Sequence, residues 1–342
     1  MRQTKRWYLK NDTTYNQEAL IEAANLLTSG ETVAFPTETV YGLGADATNE
    51  TAIMKIFQAK GRPQDNPLIA HVATKEQLLK LVDGLPAYAE KLVDQFSPGP
   101  LTFVLPENGT CAANVTAGLS TIAVRIPDHP VAQQLLKQCN IPIAAPSANI
   151  SGKPSPTTAG HVWTDLQGKI SGLIDGGPTG VGVESTVIDC TQDIPTILRP
   201  GGITREQLEA VVGRVGVDPA LTNKTDRPKA PGMKYKHYSP EMPMWLVAGS
   251  ARKIQEVVDK ERSKGQRIGV LASLETAEKI NADEVMSLGK EMDEITANLY
   301  TGLRTYKSND IDMIICEAFP ETGIGEAVMN RLKKAASIYI RD

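Results

Sequence analysis

The sequence predicts an α/β protein of the mixed α+β kind: a twisted mixed-sheet domain followed by a smaller unit of parallel strands. Short β-rich runs outnumber helical ones up to about residue 212, in no regular βαβ series. A stretch dense in proline and aromatic residues then breaks the pattern. Beyond it, apolar strands alternate with amphipathic helices, as buried parallel strands require.

Taken in order, "ETVAFPT" reads as a strand and "ETAIMKIFQAKG" as a helix that Gly61 ends. "PLIAHV" is a strand, and "KEQLLKLV" and "AYAEKLVDQF" carry the spacing of amphipathic helices. "PLTFVLP" and "STIAVRIP" are β-rich, "HPVAQQLLKQC" is helical and "IPIAAPSA" is a strand. "GLIDGG", "STVIDC" and "TILRPGG" are short strands before the helix "TREQLEAVVG", with Thr204 suited to its N-cap. In the second part, "MWLVAG", "RIGVLAS" and "IDMIICEA" are strands; Arg252–Arg262, a further segment and "GEAVMNRLKKAA" are helices. The expected divisions are residues 1–212, a linker over 213–244, and 245–342.

A chain of 342 residues, 41% hydrophobic and 22% charged, has the make-up of a soluble globular protein. No apolar run approaches the roughly 18 residues that span a bilayer, and the start lacks the apolar core of a signal peptide. Cys111, Cys139, Cys190 and Cys316 lie far apart with no CxxC pair, as reduced thiols would. A cytoplasmic protein is expected, with no membrane partner. Net charge is −4; from Trp245 onward 14 Lys+Arg stand against 16 Asp+Glu, and the remainder is balanced alike. No basic tract suited to gripping long nucleic acid stands out.

No Walker A motif, GxSxG elbow or HExxH pattern occurs; "SGKPS" lacks the spacing and the Ser/Thr of a P-loop. The four histidines, His71, His129, His161 and His237, show no metal-ligand spacing and read first as structural. Polar residues instead collect at strand ends and in proline-stiffened loops. "KGRPQDNPL" places Lys60, Arg62 and Asn66 just past a helix, where the cations equally suit the helix dipole. "APSANISGKPSPTTAG" offers Ser147, Asn149, Ser151 and Ser155 as an anion-binding nest or a plain turn. "FPTETVYGLGADA" puts Thr37, Thr39 and Tyr41 at a strand end, with Gly42 and Gly44 permitting close approach of a ligand. Arg125 shares a strand face with Ala123 and Thr121, and needs a carboxylate or a ligand anion as partner. Ser185 and Arg199 occupy similar strand ends. Several cations and hydroxyls without an evident catalytic base suit phosphate chemistry by positioning and charge neutralisation.

"FPTETVYGLGADA", "KGRPQDNPLIAHV", "SPGPLTFVL", "TIAVRIPDHP", "PSANISGKPSPTTA" and "ILRPGG" closely resemble the YrdC-like threonylcarbamoyl-adenylate synthase family, over about residues 14–205. The second domain and "PGMKYKHYSP" resemble the family's longer, two-domain form. The resemblance implies a twisted sheet around a deep positive cavity, a Rossmann-like C-terminal domain, and conversion of L-threonine, bicarbonate and ATP to threonylcarbamoyl-AMP and pyrophosphate. A separate tRNA threonylcarbamoyltransferase complex would take the product, so no stable nucleic-acid binding is expected of this chain. Carried over by position, Thr39, His71, Arg125, Ala145 (backbone) and Ser185 would contact threonine. Arg62, Asn66, Thr121, Ser147, Ser155 and Arg199 would hold ATP, with Tyr238 over the nucleotide. Lys60 and Asn149 would join Arg62 and Ser147 in a catalytic positive cluster. Mg²⁺ would ride mainly on the ATP phosphates, with no protein metal site. The linker, shaped by Pro231, Gly232 and Pro240 and carrying Lys229, Lys234 and Lys236, would act as a lid, or else as an inter-domain strap. Two other readings stay open: a nucleotide- or RNA-binding module without catalysis, and a carbamoyl-adenylate transferase, whose usual acylphosphatase and zinc-finger segments are missing.

Overall fold

A computed structural model describes residues 3–9, 13–221 and 237–341. The chain divides into two compact units: Met1–Ser151, Pro156–Gly180 and Glu184–Tyr235 form one, and Gly152–Ser155, Val181–Val183 and Lys236–Asp342 the other.

The first unit runs β1 (Lys5–Tyr8), α1 (Thr13–Thr28), β2 (Val33–Phe35), β3 (Gly42–Asp46), α2 (Glu50–Lys60), β4 (Ile69–His71), α3 (Lys75–Leu79) and α4 (Ala87–Phe96). It continues with β5 (Leu101–Pro106), α5 (Ala113–Thr116), β6 (Thr121–Arg125), α6 (Pro130–Cys139), β7 (Ile143–Ala144), α7 (Ala159–Leu166), β8 (Gly172–Asp175), β9 (Thr186–Asp189), β10 (Thr196–Arg199), α8 (Arg205–Val212) and β11 (Gly216–Val217). Its strands form one mixed sheet in the order β1-β8-β2-β3-β7-β4-β6-β5-β9-β10-β11. The mixed sheet expected from the irregular strand rhythm is present.

Strand alternation decides which side chains meet the core. On β5 and β6, Leu101, Phe103, Leu105, Ile122 and Val124 pack with Leu92 and Val93 of α4 and Leu208 of α8. The opposite face carries Val104 and Ala123, which join Ile69, Val187 and Leu198 in a small apolar cluster. Thr102, Arg125 and Thr121 share that second face, by the period of two. A buried sheet therefore presents polar groups on one side over a thin apolar floor.

Helix ends follow their sequence signals. Asn49 caps α2 by accepting from Ala52 N at 3.1 Å, and Gly61 ends it at φ 62°. Thr204 and Gln207 form a reciprocal capping box on α8. His129 caps α6 through Nδ1, accepting from Val131 N at 3.2 Å. Gly44, expected to admit a ligand, serves packing: a Cβ there would lie 2.8 Å from both Phe35 and Ile143 side chains. Tyr41 is likewise structural, donating to Gly177 O at 2.6 Å.

The second unit contains β12 (Met244–Val247), α9 (Ala251–Arg262), β13 (Ile268–Ala272), α10 (Leu274–Ala277), β14 (Glu284–Ser287), α11 (Met292–Thr305), β15 (Met313–Glu317), α12 (Gly325–Ala335) and β16 (Ile338–Ile340). Its strands pair in the order β14-β13-β15-β12-β16, all parallel. Counted within the unit that is 3-2-4-1-5, in place of the 3-2-1-4-5 order of dinucleotide-binding sheets. Two short pieces from earlier in the chain belong to this unit. Ser239 N donates to Gly152 O at 2.9 Å and Arg304 Nε to Pro154 O at 3.1 Å. Gly182 passes so near α11 that a Cβ would fall 2.3 Å from Thr296 O.

Candidate functional site

Strand register places the expected residues of the first unit in a row. His71 pairs with Arg125, Arg125 with Thr102, Thr102 with Val187, and Val187 with Arg199. From β4 to β9 paired residues share a face; the register then shifts between Ile197 and Arg199 of β10, and the contacts of Ser185 tie Arg199 to Thr102. The row thus crosses five strands, roughly 19 Å at about 4.8 Å per step.

Second in the row, next to His71, stands Arg125, with 4% of its side chain exposed. Its Nε donates to Gly99 O at 3.2 Å and its Nη1 to Thr39 Oγ1 at 3.0 Å, while Nη2 lies 2.5 Å from Glu38 Oε1. The partner that a lone arginine in an apolar strand demands is thus a protein carboxylate. Removing one member of so buried a pair typically costs about 3–5 kcal/mol.

The hydroxyls beside it are ordered by their donors. Arginine can only donate, so Thr39 Oγ1 accepts from it. Thr37 Oγ1 donates to Val40 O at 2.7 Å, which leaves Thr39 to donate to Thr37 across 2.9 Å. With its proton committed, Thr39 offers an incoming hydroxyl a lone pair. His71 is buried, with Nδ1 3.1 Å from Ile69 O. Burial foremost, and then the Arg125 charge, push its pKa down to about 3, so the ring is neutral. Donation from Nδ1–H to that carbonyl makes Nε2 an acceptor.

At the far end of the row, Arg199 is buried and donates through Nη2 to Ser185 O at 2.9 Å and to Ser185 Oγ at 3.2 Å. Ser185 Oγ is also 2.8 Å from Thr102 Oγ1, a residue the sequence reading passed over. The one sign of Thr102 was a hydroxyl inside the apolar run "PLTFVLP". Gly201 backs this corner: a Cβ there would lie 2.3 Å from Glu184 O and 2.4 Å from Ser185 C.

A second group gathers where α2 ends. Lys60 is 2% exposed and donates through Nζ to Ser147 O at 2.5 Å and Asn149 O at 2.6 Å. The ammonium therefore orders the loop after β7. Ser147 Oγ donates to Asn149 Oδ1 at 2.6 Å, and Asn149 Nδ2 to Ile150 O at 2.8 Å. Arg62 Nη2 donates to the carbonyls of Asn66 and Pro67 at 3.3 and 3.0 Å, closing its own loop. Asn66 is buried, and its Oδ1 has no hydrogen-bond partner among the described residues. Thr121, half-buried, stands on the Arg125 face four residues earlier in β6, about 13 Å along the strand.

Ala145 is buried and spends its N–H on Ile69 O at 2.9 Å, so its backbone can serve a ligand through the carbonyl alone. Ser155 and Tyr238 fall in the second unit. There Tyr238 is 4% exposed, its ring stacked 5.5 Å from Tyr300 with the Arg331 guanidinium 5.7 Å away. Lys229, Pro231, Gly232, Lys234 and Lys236 of the linker lie outside the described residues. Among the described residues no three His, Cys, Asp or Glu side chains converge as a metal site.

The fold and the row define a class: a two-unit α/β protein whose mixed sheet carries a face of guanidinium and hydroxyl groups suited to a small polar ligand. Residues 25–201 match the Sua5, YciO and YrdC family, described as "Telomere recombination", and residues 203–337 match "Threonylcarbamoyl-AMP synthase, C-terminal domain". The chain belongs to this family, in its two-domain form. It is 51% identical over 338 residues to the threonylcarbamoyl-AMP synthase of Bacillus subtilis (strain 168), covering 97% of this chain and 98% of that one. The corresponding protein of Pyrococcus abyssi (strain GE5 / Orsay) is 50% identical over 323 residues, covering 93% and 94%. A crystal structure of P. abyssi Sua5 complexed with L-threonine superposes with a TM-score of 0.93, at 46% identity and 99% coverage of both chains.

Proposed function

We propose that the protein is an L-threonylcarbamoyl-AMP synthase, joining L-threonine, bicarbonate and ATP into threonylcarbamoyl-AMP with release of pyrophosphate. The row of side chains from His71 through Arg125 to Arg199 is the observation that carries this reading. It supplies a carboxylate-holding guanidinium, neutral acceptors and a second guanidinium. Near-complete alignment with relatives named for this activity supports it.

In this reading Arg125 takes the threonine carboxylate, and Thr39 and the neutral His71 accept from the substrate's polar hydrogens. Ser185 and the Ala145 carbonyl complete the amino-acid end. Arg62, Asn66, Thr121, Ser147 and Arg199, with Ser155, bind ATP; Lys60 and Asn149 hold Ser147 in position. The threonine amine and bicarbonate condense to a carbamate with loss of water, and a carbamate oxygen displaces pyrophosphate from the α-phosphorus. Carbamates lose carbon dioxide in water, so a closed site is useful, and Tyr238 is assigned as its cover. The residues assigned to the nucleotide are cationic or neutral, which suits Mg²⁺ carried by the phosphates rather than by carboxylates. Bound there, the ion neutralises charge on the phosphate oxygens. The product then passes to a separate transferase acting on tRNA adenosine beside the anticodon. The cell compartment assigned is the cytoplasm. The four cysteines are free thiols, and no helix among the described residues is long and apolar enough to cross a membrane.

Pyrophosphate release is the test. Protein, ATP, Mg²⁺ and bicarbonate should yield pyrophosphate and an adenylate only when L-threonine is added; release that ignores threonine contradicts the assignment. Arg62→Ala should lower turnover at least a hundredfold while the circular dichroism spectrum is unchanged, and Arg62→Lys should recover part of the loss.

A further inference from the structure

We propose that Glu38 receives the α-ammonium group of the amino-acid substrate, so that a zwitterion inserts between Glu38 and Arg125. The inference rests on the reading of Arg125 as the carboxylate holder and adds a residue and a selection rule to it.

Charge balance is the first argument. Glu38 lies 2.5 Å from Arg125 Nη2, and their side chains are 13% and 4% exposed. The pair is already neutral. His71 adds no charge, because burial and Arg125 keep its ring unprotonated, and burial likewise lowers the pKa of His129, which feels the Glu38 charge. A plain carboxylate arriving at Arg125 would leave one buried negative charge uncompensated. An amino acid brings a carboxylate for Arg125 and an ammonium for Glu38, and the site stays neutral.

Geometry is the second. Neither Glu38 carboxylate oxygen nor Arg125 Nη2 makes an aligned hydrogen bond with any described residue, although the two groups nearly touch. Both groups therefore keep directional capacity that a ligand can use. The Glu38 backbone is pinned on both sides: Thr37 Oγ1 accepts from Thr39 N at 3.2 Å and Val40 N at 3.3 Å, and Gly180 N donates to Glu38 O at 3.1 Å. The carboxylate is the adjustable part of a fixed loop. An ammonium has three N–H donors, so it can satisfy a Glu38 oxygen and still donate elsewhere.

The experiment is calorimetric titration of the full-length protein with L-threonine and with (R)-3-hydroxybutyrate, which is threonine without its amine. Wild type should bind threonine about a hundredfold more tightly than hydroxybutyrate, the worth of one charge-assisted contact. In Glu38→Gln, threonine binding should weaken and the gap should shrink below tenfold. Wild type that binds both ligands within threefold overturns the inference without any variant. A folded Glu38→Gln protein that keeps the full gap overturns it too. So does one that binds both ligands more tightly by the same factor, because Glu38 would then be an internal competitor for Arg125. Wild type that binds no threonine removes the functional reading, and this inference with it.

Discussion

Among single residues, His71 ties the site most directly to stability. The folded protein holds it neutral down to about pH 3, whereas the unfolded chain protonates it near the ordinary histidine pKa of about 6.5. Below that pH the unfolded state binds the extra proton, so stability falls as pH falls. One proton difference corresponds to a slope of about 1.4 kcal/mol per pH unit. Urea unfolding at steps from about pH 7 to pH 4 should show this component in wild type and its loss in His71→Gln. Composition and spacing read His71 as a structural histidine; the family motif alone read it as a ligand. The burial that makes it a core side chain also keeps its ring neutral. Glu38 was present in the quoted motif and escaped notice, since a carboxylate between two threonines reads as a turn until Arg125 arrives from a strand 87 residues away.

At the level of elements, the strand ends do the positioning and their glycines are the weak points. Gly201→Ala forces a methyl to within 2.4 Å of Ser185 and Thr186 backbone atoms. It should cost about 1–3 kcal/mol in denaturant unfolding and raise KM for both ATP and threonine, by moving Ser185 under Arg199. Thr204→Ala removes the α8 capping box and should cost about 1 kcal/mol with kinetic constants unchanged, a control far from the chemistry. Helices with a clear apolar stripe were the most legible elements: α2, α4, α6 and α12 appear within about a residue of their expected spans. "IPIAAPSA" yields a strand of only two residues, Ile143–Ala144, because the chain turns at Pro146 to build the loop that Lys60 holds. Thr13–Thr28 and Lys5–Tyr8 were not read at all, although Ala19, Ala23 and Leu27 recur at helical spacing.

For the molecule as a whole, the weak and evenly spread charge argues for a small diffusible product rather than a grip on tRNA. Filter binding at about 150 mM salt should detect no stable complex with tRNA; retention with a steep inverse dependence on salt would contradict this. Tyr238→Ala should lower turnover and raise hydrolysis of the adenylate at every ATP concentration, and wild-type behaviour would end its assignment as a cover. Strand order was beyond the reach of linear patterns, since β6 pairs with β4 and β5 through contacts no local propensity encodes. The same holds for residues 152–155 and 181–183, whose membership of the second unit depends on contacts with chain more than 80 residues further on.

A crystal structure with L-threonine and a non-hydrolysable ATP analogue tests the account most directly. The threonine carboxylate should rest on the Arg125 guanidinium, with the phosphates reaching Arg62 and Arg199. Nucleotide bound to the parallel sheet of the second unit, or threonine remote from Arg125, would contradict it.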